Sequence, residues 1–125
     1  MKKIVTQREN NLIFSGVETM LDKAKVREIA TEYSKEIKKY FNPDKVILFG
    51  SYVNGNPHEE SDIDIAVLVR DFNDETWYNA RILLQKIRRN KIFLDIEPHL
   101  LDENYDPSGF VDHVIKTGEV IYQSA

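Results

Sequence analysis

Between Val26 and Phe41 the apolar residues Val26, Ile29, Ala30, Tyr33, Ile37 and Phe41 recur at steps of three, four and one, the spacing of one face of an α-helix. Asp22 is a candidate N-cap and Asn42-Pro43 a stop, so a helix packed on a sheet is predicted between them. Val46-Ile47-Leu48-Phe49 is a short run of β-formers ending on Gly50-Ser51, which reads as a buried strand feeding a tight turn. Beyond a loop, Asp62, Asp64, Ala66 and Leu68 alternate with Ile63, Ile65, Val67 and Val69, the period of a strand. A second helix is predicted from about Asp74 to Arg89, with Trp77, Ala80, Leu83, Leu84 and Ile87 inward and Asn90 at its end. Lys91 to Glu97 is predicted as a strand with Ile92, Leu94 and Ile96 on one face and Phe93, Asp95 and Glu97 on the other. A third helix is predicted to open at Asp106-Pro107, bury Phe110, Val111, Val114 and Ile115, and close at Gly118. Glu119 to Tyr122 then reads as a last strand. The order predicts an α/β (α+β) fold, a mixed β-sheet packed with helices. Residues 1–21 are less regular and are expected to form an N-terminal arm ahead of a single domain at residues 22–125.

Two places in this pattern carry chemistry. Gly50 has no Cβ to obstruct a ligand, and the hydroxyl and N–H of Ser51 can face phosphate oxygens if Ser51 opens a short helix. Gly-Ser after a strand is also ordinary turn material. The second place is sharper: Asp62 and Asp64 share one face of a strand, about 6.5 to 7 Å apart at Cα. Like charges at the mouth of an apolar strand repel and resist desolvation, and a divalent cation would compensate them. Oxygen-only ligands suit Mg²⁺ bound together with phosphates. A solvated turn is the plain alternative. A calcium loop starting at Asp62 is excluded, because its sixth and twelfth positions are Val67 and Asn73 rather than Gly and Glu.

Gly50-Ser51, Gly55 and Ser61-Asp62-Ile63-Asp64, with ten residues between Ser51 and Asp62, resemble the signature of the minimal nucleotidyltransferases. These are small members of the DNA polymerase beta-like nucleotidyltransferase superfamily, whose palm fold is thereby expected. The resemblance extends over roughly residues 22 to 122. It implies a third carboxylate on a later strand, which Asp95 supplies, with Glu97 on the same face as the alternative or additional ligand. It further implies ATP as a nucleoside triphosphate substrate and Mg²⁺, two ions, held by Asp62, Asp64 and Asp95. Gly50 and Ser51 would hold the β- or γ-phosphate, and Asp95 would accept the proton of the attacking hydroxyl. Transfer of a nucleoside monophosphate with release of pyrophosphate follows. The minimal members also resemble the nucleotidyltransferase halves of HEPN-nucleotidyltransferase toxin-antitoxin pairs. That implies a separate helical HEPN partner and AMP transfer to one of its tyrosines.

One departure from the family pattern stands out. Many members have a basic residue before the second glycine, where this chain has Asn54, and Tyr52 to Glu60 contains no Lys or Arg. Arg81, Arg88 and Arg89 on the next helix are candidate cations for a triphosphate, although a solvated helix face is the favoured account of them. The poor loop motivates the alternative function, a non-catalytic module that neutralises a helical partner by binding it.

The chain has 125 residues, 42% hydrophobic and 30% charged, which suits one globular domain without a separate substrate domain. Net charge of -4 argues against a nucleic-acid backbone as main partner. No cysteine is present, which removes disulfides and thiolate metal sites. No apolar stretch reaches membrane length, so no membrane partner is expected and a cytoplasmic location is the default; a homo-oligomer stays open. His58 lies in the candidate active-site loop, where a solvated histidine is the favoured reading over substrate contact, and His99 and His113 have no ligand partner at metal spacing. Trp77 and Tyr78 can stack on a base or pack at a core or interface.

Overall fold

The computed structural model describes residues 22–55 and 62–125. The expected N-terminal arm and the loop residues His58, Glu59, Glu60 and Ser61 lie outside the described residues. Helix α1 spans Lys23–Ile37, and the Asp22 carboxylate accepts from the Lys25 N–H at 2.8 Å as its cap. It stops four residues short of Phe41. A residue before proline is pushed out of the α region, and the backbone N–H groups of Lys39 and Tyr40 bond back three residues in a tightened final turn instead. Strand β1 (Lys45–Phe49), short helix α2 (Ser51–Asn54) and strand β2 (Ile63–Val69) follow. Helix α3 spans Asp74–Arg88, capped by the Asn73 side chain on the Thr76 N–H. Strand β3 covers Ile96–Asp102, helix α4 Phe110–Thr117 and strand β4 Glu119–Gln123.

The four strands form one sheet in the order β3-β2-β1-β4. β1 pairs antiparallel with both β2 and β4, whereas β2 and β3 run parallel. The parallel pair needs a crossover, and α3 provides it. The sheet is therefore mixed, as the pattern predicted. Alternation along β2 divides its side chains between two cores. Ile63, Ile65 and Val67 pack with Val26, Tyr33 and Leu84 under α1 and α3. Ala66 and Leu68 join Ile47, Val111 and Val114 under α4.

Two expectations need correction. Helix α4 begins at Phe110, not at Asp106-Pro107. Gly109 at φ 80° turns the chain into the helix, and the Asp106 carboxylate still caps it, accepting from the N–H groups of Val111 and Asp112 at 2.9 and 3.0 Å. Of the residues expected to be inward, Val111 and Val114 are buried while Phe110 and Ile115 stay exposed. The segment predicted as a strand from Lys91 is instead a 3₁₀ turn over Lys91–Phe93, opened by the Asn90 side chain accepting from the Ile92 N–H. Phe93 drops into the core edge-on to Tyr33, ring centroids 5.2 Å apart, and Leu94 and Asp95 turn the chain before β3.

At the far edge of the sheet, Arg27 of α1 donates to both carboxylate oxygens of Glu119. The hydrogen bond from Arg27 holds the Glu119 carboxyl below its usual value. A depressed carboxyl contributes stability that is present above its unfolded pKa and is lost as pH falls through the folded one. Melting temperature is therefore expected to drop on acidification below about pH 4.5. Because the pair is exposed and screened by solvent, its share is small. Arg27→Ala is expected to make the acid limb shallower when melting is followed by circular dichroism across the pH series.

Candidate active site

Three neighbouring strands bring their chemistry to one end of the sheet. β1 runs out at Phe49, whose Cα partner on β2 is Asp64, and Gly50-Ser51 follow directly as the turn into α2. The parallel register places Glu97 of β3 opposite Asp64. Partners on adjacent strands project to the same face about 4.8 Å apart. Gly50 just beyond β1, Asp64 of β2 and Glu97 of β3 thus stand in a row with Asp64 in the middle, and Ser51 follows Gly50. Asp62 sits one residue before β2, exposed.

Gly50 is indispensable to this geometry. Its φ of 82° and ψ of -152° lie in a region that is essentially glycine's alone. A Cβ there would fall 2.3 Å from Asp64 Oδ2. The backbone of the turn can lie against the Asp64 carboxylate only because that volume is empty. Ser51 opens α2 as its first residue, and α2 is closed by Gly55 at φ 92°.

Asp64 is half-buried, its side chain 28% exposed. His99, two residues beyond Glu97 on the same face of β3, brings Nε2 to 3.4 Å from Asp64 Oδ1, the long end of hydrogen-bond range. The imidazole is held edge-on by Phe49 at 5.2 Å, and Phe49 in turn meets Phe110 at 5.7 Å. An aromatic wall from β1, β3 and α4 therefore backs the carboxylate. Sequence spacing alone showed no partner for His99. The signal was the two-residue step from Glu97 to His99, readable only once the β2–β3 register is known.

Of the expected ligands, Asp64 lies in the row and Asp62 at its approach. Asp95 lies one residue before β3 and is exposed, as Asp62 lies one residue before β2, and its carbonyl accepts from the Ile63 N–H at 2.8 Å. Glu97, the alternative third carboxylate, is on β3 opposite Asp64. Among the described residues no three acidic or imidazole groups converge to ligand distance in the side-chain conformations present. Asp64 and Glu97 are nonetheless near enough for rotation about χ1 and χ2 to bring both to one ion. The donor set is carboxylate oxygen, which suits a hard cation such as Mg²⁺, and the cradle that a Cβ at Gly50 would fill leaves Asp64 accessible to it. The residues fit the metal.

Cations are sparse around the row. Arg88 is drawn away to the edge of the sheet, where its guanidinium donates to the carbonyls of Ile96 and Leu94. Arg70 and Lys45 pair with Asp44 and Glu103. Arg81 and Arg89 are exposed and make no ion pair with a described residue.

Comparison with known proteins bears on family and fold. A protein adenylyltransferase of Thermococcus cleftensis is 40% identical over 48 residues, 38% of this chain and 48% of that protein. A Methanocaldococcus jannaschii relative, provisionally named for the same activity, is 46% identical over 46 residues, 35% of this chain and 46% of its own length. The chain thus matches about half the length of these curated relatives. A Sulfolobus solfataricus crystal structure, provisionally named a nucleotidyltransferase, superposes with a TM-score of 0.62 at 22% identity, covering 90% of this chain and 91% of that one. A toxin-antitoxin structure with AMP-PNP gives a TM-score of 0.51 at 24% identity, covering 83% and 75%. These two likenesses concern the fold. The profile described as "Polymerase beta, Nucleotidyltransferase" matches residues 31–125, and the chain belongs to that nucleotidyltransferase family.

Proposed function

We propose that the protein is a Mg²⁺-dependent nucleotidyltransferase that moves AMP from ATP to a hydroxyl of a partner protein, a tyrosine of a HEPN-type helical partner in the role of antitoxin. The observation that carries the reading is Asp64 of β2 beside Glu97 of β3, with the Gly50-Ser51 turn at the end of β1 held against Asp64. Asp62, Asp64 and Glu97 would hold Mg²⁺, two ions in the full site, with Asp95 the other candidate for the third carboxylate. Bound there, the metal would neutralise phosphate charge and lower the pKa of the attacking hydroxyl.

The chain's own groups account for orientation. Gly50-Ser51 would receive the β- or γ-phosphate through the Ser51 hydroxyl and backbone N–H groups. In an in-line displacement the attacking and leaving oxygens lie on opposite sides of the α-phosphorus. With the pyrophosphate end at Ser51, the hydroxyl arrives from the Glu97 side. The bond from acceptor oxygen to α-phosphorus forms as the α–β bridging bond breaks, the hydroxyl proton passes to the Glu97 carboxylate, and pyrophosphate leaves. His99 is placed to orient Asp64. The partner is supported by the names of the relatives and by toxin-antitoxin complexes of the same fold, one of them a tri-AMPylated HEPN toxin with its MNT antitoxin from Shewanella oneidensis.

Glu97→Gln and Asp95→Asn separate the two candidates for the third carboxylate. Glu97→Gln is expected to lower AMP transfer by about 10²-fold or more and to weaken Mn²⁺ binding followed by electron paramagnetic resonance. Asp95→Asn is expected to leave both within a few-fold of wild type. The reverse ranking would return the role to Asp95.

A further inference from the structure

Two aromatic neighbours of Asp64 lean toward each other over β2. Phe49 of β1 and His99 of β3 stand on strands about 9.5 Å apart, two strand spacings, yet their ring centroids are separated by only 5.2 Å. The rings therefore meet above the strand between them. They do so at the level of Ala66, the Cα partner of His99, whose small side chain leaves room for them. The wall continues into α4, where Phe110 meets Phe49 edge-on with centroids 5.7 Å apart. Starting at Asp64, it runs inward over the same sheet face through His99 and Phe49 to Phe110.

A lone exposed apolar side chain needs no function. Phe110 is not alone, because its ring extends a wall that begins at the Asp64 carboxylate. It is the first residue of α4 and stays 39% exposed, while Val111 beside it is buried. A Cβ added at Gly109, the residue before it, would meet nothing within 4 Å. The approach to the ring from that side is open.

We propose that Phe110 seats the nucleobase of the triphosphate by stacking, and that it makes the site favour a purine over a pyrimidine. The proposal deepens the function given above and rests on it for the placement of the phosphates. With pyrophosphate leaving toward Ser51 and the hydroxyl arriving from the Glu97 side, the axis of displacement runs across the strands. The ribose oxygen is on neither end of that axis, so the nucleoside leaves the α-phosphorus across it. Followed along the strands, one direction runs off the end of the sheet. The other passes over the aromatic wall to Phe110. A base there can stack offset on the ring at the usual aromatic separation of about 4.5 to 7 Å, and a purine offers the larger face. The acceptor does not compete for this place, because in-line attack keeps it on the axis.

The test measures binding of the full chain to α,β-methylene-ATP, α,β-methylene-UTP and inorganic tripolyphosphate, each with Mg²⁺, by isothermal titration calorimetry. Wild type is expected to bind the adenine analogue more tightly than the uracil analogue. Phe110→Ala is expected to weaken the adenine analogue about 10- to 100-fold, to shrink its lead over uracil, and to leave tripolyphosphate within about twofold. Phe110→Leu keeps apolar packing on Phe49 without a stacking face and is expected to repeat that loss, whereas Phe110→Tyr is expected to restore binding. Melting curves check the fold of each variant, and retained tripolyphosphate binding checks the phosphate site. Equal losses for the adenine analogue and tripolyphosphate, no loss in the folded variants, or no preference of wild type for adenine over uracil overturns the proposal. Transfer is read separately. If wild type transfers AMP and Phe110→Leu does so with the same KM for ATP, the transfer reading stands and the stacking falls. If the adenine analogue binds through Phe110 and AMP is never transferred, the stacking stands and the transfer reading falls. If wild type binds none of the three probes, both fall.

Discussion

Asp64→Asn is expected to abolish AMP transfer, by on the order of 10³-fold, the scale of losing one principal electrostatic element of transition-state stabilisation. The substitution keeps shape and removes one negative charge from the centre of the row, where Asp64 faces Glu97 on one side and Gly50-Ser51 on the other. Because Asp64 is only half-buried, the melting temperature is expected to move little, within about 1 kcal/mol of stability. His99 sharpens the test. His99→Ala removes the imidazole beside Asp64 Oδ1 but leaves the charge, so a smaller loss, about 10- to 100-fold in metal affinity, is expected. Transfer from labelled ATP together with Mn²⁺ binding separates the two variants.

Gly50→Ala should damage stability and chemistry together. The conformation at φ 82°, ψ -152° costs a residue with a Cβ about 1–3 kcal/mol. The new methyl would also stand 2.3 Å from Asp64 Oδ2, so the turn or the carboxylate must shift. Gly55→Ala is the matched control. Gly55 also has a positive φ, 92°, but an added Cβ there meets nothing within 4 Å. Its expected cost is the backbone term alone, about 1–2 kcal/mol, with transfer preserved in the folded fraction. Thermal denaturation and transfer, measured side by side, check the contrast. If both glycines behave alike, contact with the Asp64 carboxylate is not what constrains position 50.

How much of this was legible in the sequence follows from which signals are local. The strand Ile63–Val69 was readable because β2 is buried on both faces, its two residue sets entering different cores, and so appears as a nearly continuous apolar run. The start of α3 was readable because its apolar spacing begins with acidic residues in the first turn, and the Asn73 side chain caps it. The stretch Lys91–Glu97 misled because a single 3₁₀ turn that drops Phe93 into the core leaves the same apolar and polar alternation as a strand. Nothing local distinguishes them; the decisive contacts are Phe93 with Tyr33 and Arg88 with the carbonyls of Leu94 and Ile96. Glu97 and His99 were obscure for a related reason. The register of a parallel pair is set by the crossover helix between its strands, so the pairing of Asp64 with Glu97 cannot be counted along the chain. The start of α4 was misplaced because Asp106 caps the helix from beyond Gly109.

The central claim is that the site formed by Asp64, Glu97 and the Gly50-Ser51 turn transfers AMP to a protein hydroxyl, and the most direct measurement is the intact mass of the protein encoded next to this one after incubation with this chain and Mg-ATP. The account predicts a gain of one or more adenylyl groups on tyrosine, lost with Asp62→Ala or Asp64→Ala. A tight complex with no change in mass, formed equally well by those variants, would contradict it and leave a partner-binding module in its place.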